Sequence, residues 1–134
     1  MNKDIAYPPP QYHLILAAMS PHAVRHIRRM VRIYAEMWEM GHVADAAGLA
    51  VTELLANVIK HVPDCSCAVL LIAEEGRLRV EVGDNSPVLP VRRTAGPWDE
   101  SGRGLDLVDL ITDAWGIDRT PARSGKRVWF ELKA

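Results

Sequence analysis

Val51-Thr52-Glu53-Leu54-Leu55-Ala56-Asn57-Val58-Ile59-Lys60-His61, residues 51–61, decides how this chain is read. With Ala46, Ala47, Leu49 and Ala50 just upstream, it predicts a helix over about 42–61 that is apolar almost all round and ends before Pro63. Glu53, Asn57 and His61 interrupt it at i, i+4 and i+8, so they share one narrow stripe. Charged and amide groups on a mostly buried helix are costly unless something polar meets them. A lone Glu–Asn pair would read first as a solvated seam with an ordinary hydrogen bond, so the surroundings of the stripe must decide.

On the N-terminal side, Tyr7-Pro8-Pro9-Pro10 makes residues 1–10 an extended, flexible or polyproline-like arm. The run from His13 to Ala18 predicts a first strand. Ser20-Pro21 opens a helix, with serine as N-cap and proline at the first helical position. Val24, Ile27, Val31, Tyr34, Ala35 and Trp38 give its buried stripe, and Gly41 is the expected terminator. On the C-terminal side, the runs 68–73 and 78–82 flank Glu74-Glu75-Gly76 as a hairpin with one buried face. Residues 87–101 carry Pro87, Pro90, Gly96 and Pro97 without periodicity and read as a long functional or mobile loop. A short helix over about 104–110 and strands over 114–117 and 127–132 close the chain. The expected class is α+β: a two-layer sandwich of a mixed, mostly antiparallel sheet with helices on one face, residues 11–134 forming one domain.

Bulk properties exclude several classes of function. Sixteen basic against seventeen acidic residues leave a net charge of −1, so no global field recruits nucleic acid or acidic lipid. No apolar stretch reads as long enough to span a bilayer. Met1-Asn2-Lys3-Asp4 leads into prolines rather than an apolar run, so no secretory signal is read and a cytoplasmic location is expected. Cys65 and Cys67 stand too close for an unstrained disulfide and lack a second pair for zinc, so they read as small apolar residues entering a strand.

Two further polar insertions give the helical stripe company. Asp84-Asn85-Ser86-Pro87 puts a carboxylate at a strand end; an Asx-turn explains Asp84, and so does acceptance of a hydrogen bond from an exocyclic amine such as that of adenine. Gly102-Arg103-Gly104-Leu105 lies between the loop and a helix start, where free backbone N–H groups, the helix dipole and the Arg103 cation suit an anion. It is neither a Walker A loop nor a dinucleotide fingerprint, and alone it reads equally as a loop tip before a capped helix. Together the three insertions describe a site for a magnesium-bound nucleotide. Magnesium takes oxygen ligands and shares them with phosphates, which suits the Asn57 amide. Glu53, one turn earlier, can take a proton from an attacking hydroxyl or water, and His61, one turn later, can lie against phosphates or ribose.

The ordered set Glu53, Asn57, His61, Asp84, Gly102-Arg103-Gly104-Leu105 and Gly125-Lys126-Arg127-Val128-Trp129-Phe130 resembles the histidine-kinase-like ATPase superfamily over about residues 20–132. Within it, the chain resembles the small stand-alone anti-sigma regulatory factors and serine-protein kinases of actinobacteria. That resemblance implies ATP and Mg2+ as cofactors, Glu53 as catalytic base and Asn57 as metal ligand. It implies Asp84 as adenine reader, residues 87–101 as the ATP lid, and Gly102 and Gly104 as phosphate holders, with Lys126 beside the last nucleotide-contacting segment. The implied partners are a sigma factor and an anti-anti-sigma antagonist protein, with a homodimer as a further option. Many members carry Asp-x-Gly-x-Gly where this chain has Asp84-Asn85-Ser86-Pro87, which stiffens the start of the lid. A serine/threonine protein kinase and a nucleotide-binding interaction module without phosphoryl transfer both remain open.

Arg25, Arg28, Arg29 and Arg32 share the outer face of the first helix, as a solvated surface or a docking face for an acidic partner. Direct nucleic-acid binding is not expected, because no aromatic residues interleave these arginines. His22 and His26 have no acidic or cysteine companion ligand and read as surface histidines. Trp38, Trp115 and Trp129 are expected in the core, each needing an N–H partner, whereas Trp98 falls in the loop.

Overall fold

In the computed structural model the described residues are 11–86, 104–119 and 125–134. Their elements are β1 (Gln11–Ala18), α1 (Pro21–Met37), a 3-10 turn (Gly41–Val43), α2 (Ala44–His61), β2 (Ser66–Glu74), β3 (Arg77–Asp84), α3 (Gly104–Ile111), β4 (Ala114–Arg119) and β5 (Lys126–Lys133). The sheet order is β1-β2-β3-β5-β4, and every pairing is antiparallel, so the sheet is less mixed than its sequence suggested. The expected arm over residues 1–10 and the expected lid, with Trp98, Gly102 and Arg103, lie outside the described residues.

Local chemistry accounts for the boundaries. The Ser20 hydroxyl accepts a hydrogen bond from the Ala23 amide at 3.1 Å, the N-cap that starts α1. Gly41 does not end this helix. Met40 N–H donates to Ala35 O at 2.7 Å and Glu39 N–H to Glu36 O at 3.0 Å, the paired bonds of a Schellman motif, with Glu39 at φ 62° in the left-handed position. Met40 and Ala35 are both buried, and their contact accompanies the reversal two residues before the glycine. Between β2 and β3, Glu75 (φ 49°) and Gly76 (φ 73°) make a two-residue turn whose twist matches that of the flanking strands.

Strand alternation sends Val69, Leu71, Val80, Val82, Val128 and Phe130 to one face, where they pack under Val51, Leu54, Leu55 and Val58 of α2 and Val108 of α3. Gly41–His61 is 21 residues long and contains an 18-residue stretch of mean hydropathy 1.3, long and apolar enough to cross a membrane by length and composition, contrary to the sequence-based expectation. Here half of that stretch is buried as the central helix over the sheet. Isolated polar residues divide this run into shorter apolar stretches.

The opposite face of the sheet carries no helix among the described residues. Arg79 donates to Glu81 at 2.7 Å and to Glu131 at 2.9 Å, and its guanidinium lies 4.1 Å from the Trp129 ring centre. Trp129 is therefore on this outer face rather than in the core under the helices, and its indole N–H is buried without a partner among the described residues. Trp115 does find its partner, Asp109 Oδ1 at 2.8 Å.

Candidate nucleotide site

Asn57 and His61 come together with the strand ends because α2 lies over the sheet where β3 finishes and β5 begins. Asp84 and Lys126 are cross-strand partners in the β3–β5 register, and both belong to the alternation that faces the helices. The result is a cleft lined by Leu54, Asn57, Val58, His61, Val82, Asp84, Lys126 and Val128. Its volume is about 10 Å³, room for roughly one water molecule. Glu53 is half-buried one turn before Asn57 and does not line the cleft; His61 is exposed at its outer end.

Asp84 is held on two sides. Its Oδ1 accepts the Ser86 amide at 2.8 Å, the Asx-turn read from sequence, and the Lys126 ammonium at 2.9 Å. The two side chains are 3% and 5% exposed, so this is a buried ion pair and not a surface contact. Lys126 Nζ also reaches Ser86 O at 3.4 Å. A carboxylate offers roughly four lone-pair sites, so these two contacts do not saturate Asp84 as an acceptor. The neighbouring Cys67 thiol is pushed up to about 11, first by burial and then by the Asp84 charge. Cys65 and Cys67 are both free thiols.

Of the remaining expected site residues, Gly104 is the first residue of α3, where its backbone stands at a helix N-terminus. Leu105 is 4% exposed and packed in the core, so its contribution to a ligand is confined to its backbone. No cluster of three His, Cys, Asp or Glu side chains occurs among the described residues. The donor set fits magnesium only as a shared ion: the Asn57 amide oxygen would hold it, with phosphate and water oxygens completing the shell.

A far larger hollow, about 780 Å³, lies over the outer face of the sheet, with Leu14, Leu16, Leu70, Glu81 and Arg127 in its walls. It touches Asp84 and Lys126 at the sheet end but none of the α2 stripe.

The family model described as Histidine kinase-, DNA gyrase B-, and HSP90-like ATPase matches residues 42–134. An uncharacterized protein of Streptomyces coelicolor is 38% identical over 80 residues, covering 57% of this chain and 76% of that protein. Among solved structures, the RsbU and RsbW domains of Rv1364c from Mycobacterium tuberculosis superpose with a TM-score of 0.60 at 17% identity. That match covers 94% of this chain and 32% of the other, so the chain spans about a third of that protein. The SiaB–SiaC complex from Pseudomonas aeruginosa gives a TM-score of 0.56 at 14% identity, covering 91% of this chain and 89% of that one. At these identities the two structures share the fold.

Proposed function

This chain belongs to the histidine kinase-, DNA gyrase B- and HSP90-like ATPase family, and from that membership we propose an Mg-ATP-binding regulator that sequesters a sigma factor and phosphorylates a serine or threonine of an antagonist protein. The observation that carries the nucleotide reading is the convergence of Asn57, His61, Asp84 and Lys126 on one cleft, from elements far apart in the chain. Asp84 would accept the exocyclic amine of adenine. Asn57 would hold the metal, whose charge offsets that of the phosphates when it is bound. Gly102, Arg103, Gly104 and the Leu105 backbone would hold phosphate oxygens at the start of α3. Glu53 would take the proton of the acceptor hydroxyl as its oxygen attacks the γ-phosphorus and ADP departs.

Protein partners have two candidate surfaces. Arg25, Arg28, Arg29 and Arg32 border a groove of about 480 Å³ on α1 with Ile33 and Glu36. Among the described residues only Arg32 of the four has an acidic partner, Asp45 at 2.8 Å, so three cations face outward for an acidic segment of the sigma factor or antagonist. The SiaB–SiaC structure, a protein complex in which one chain shares this fold, supports a protein partner. Tyr12, Leu14 and Leu16, 56–73% exposed along the outer side of edge strand β1, support a homodimer built on that side. Residues 11–134 would act as one ATP-binding domain in the cytoplasm.

A second reading is a protein-binding module without phosphoryl transfer, favoured by the ion pair that fills the cleft. Incubation with labelled ATP, magnesium and a candidate antagonist separates the two. Label on the antagonist supports the kinase; nucleotide binding without transfer supports the module.

A further inference from the structure

We propose that Lys126 is an internal competitor for the nucleobase: its ammonium occupies the place on Asp84 that the exocyclic amine of a purine would take, so nucleotide affinity is set by displacement of this side chain. The inference rests on the reading of Asp84 as the base acceptor. Lys126 Nζ donates to Asp84 Oδ1 at 2.9 Å, as an incoming exocyclic amine would donate to the same carboxylate. A second contact to Ser86 O, at 3.4 Å, ties the lysine to the turn that follows Asp84. The lysine side chain is only 5% exposed, and the cleft it helps to line holds about 10 Å³, too little for a purine ring. Leu54, Val58, Val82 and Val128 form the apolar part of this wall and cannot compensate the ammonium. Its ammonium is therefore held by the carboxylate and by one backbone carbonyl.

The exchange is chemically balanced. A purine entering the cleft gives Asp84 a neutral donor and stacks on the apolar wall, while the ammonium leaves for water or for the nucleotide phosphates. Because only the fraction of molecules with the lysine displaced can bind, apparent affinity falls by that fraction. Lys126 thus acts on the base end of the ligand.

The test is calorimetric titration of the folded protein with Mg-ATP and, separately, with adenosine, for the parent, Lys126→Met and Lys126→Gln. Lys126→Met removes the counter-ion of a buried carboxylate and can cost the fold; Lys126→Gln keeps an amide donor for Asp84 and is measured beside it. Circular dichroism establishes that each variant is folded. Competition at the base requires both ligands to bind more tightly in the variants, by about tenfold or more for Lys126→Met and by less for Lys126→Gln. Weaker ATP binding with unchanged adenosine binding would make Lys126 a phosphate ligand and overturn the proposal. Unchanged affinities for both ligands would overturn it as well, while leaving the ATP reading intact. If no folded form binds either ligand, the assignment of Asp84 as base acceptor fails and the competitor role fails with it.

Discussion

Asn57 and Glu53 lie one helical turn apart, yet the roles proposed for them respond to different measurements. Asn57→Ala should weaken ATP binding in the presence of magnesium and leave magnesium-free binding near the parental value, measured by calorimetry in both conditions. Glu53→Gln should keep the affinity and lose phosphoryl transfer by about a hundredfold to ten-thousandfold, measured with labelled ATP. Cys67 gives a pH-dependent signature. Its thiol is held at about 11 in the folded protein against an ordinary value near 9.0, so the folded state retains the proton longer than the unfolded chain. That contribution is fully present below about pH 9 and is lost as pH rises toward 11. Chemical unfolding from pH 8 upward should show a decline that is smaller in Cys67→Ala. The stripe of Glu53, Asn57 and His61 was legible because helical periodicity alone puts it on one face. The hold of Lys126 on Asp84 was not, since these residues are far apart in sequence and meet only through the register of β3 with β5.

At the scale of elements, α1 rests on signals that sequence exposes at its start and conceals at its end. Ser20→Ala should cost about 1 kcal/mol in denaturant unfolding through loss of the N-cap. The other end is closed by Glu39 in a left-handed conformation, accompanied by burial of Met40, and not by the nearby glycine. Gly116 on β4 is demanded by its neighbour on β5: a Cβ there would stand 2.6 Å from Trp129 Cζ2. Gly116→Ala should therefore cost about 1–3 kcal/mol, with the Trp129 emission shifted as the ring is displaced. The period-two pattern of β5 identified the strand, but period two leaves open which of its two faces the helices cover. Trp129 was consequently expected in the core, whereas it lies under Arg79 on the other side.

The whole molecule presents α1 arginines on one side and an apolar edge on the other. Reversing Arg28 and Arg29 to Glu should abolish capture of an acidic partner without changing the unfolding midpoint, because neither makes an ion pair among the described residues. The parental association should also weaken steeply with salt, as exposed charge pairs do. Leu14→Asp with Leu16→Asp should leave ATP affinity unchanged and convert any dimer to monomer in sedimentation, since both side chains point away from the α2 cleft.

The α+β class, the three helices and five strands of the described residues and the Asx-turn at Asp84 followed from the sequence, because each is encoded within a few residues by hydrophobic period, capping side chains or turn formers. The strand order β1-β2-β3-β5-β4, the face on which Trp129 lies and the cation seated on Asp84 were decided by tertiary structure. Those features depend on antiparallel register between distant segments, and register is set by which buried side chains fit together across the sheet, information that no local window contains.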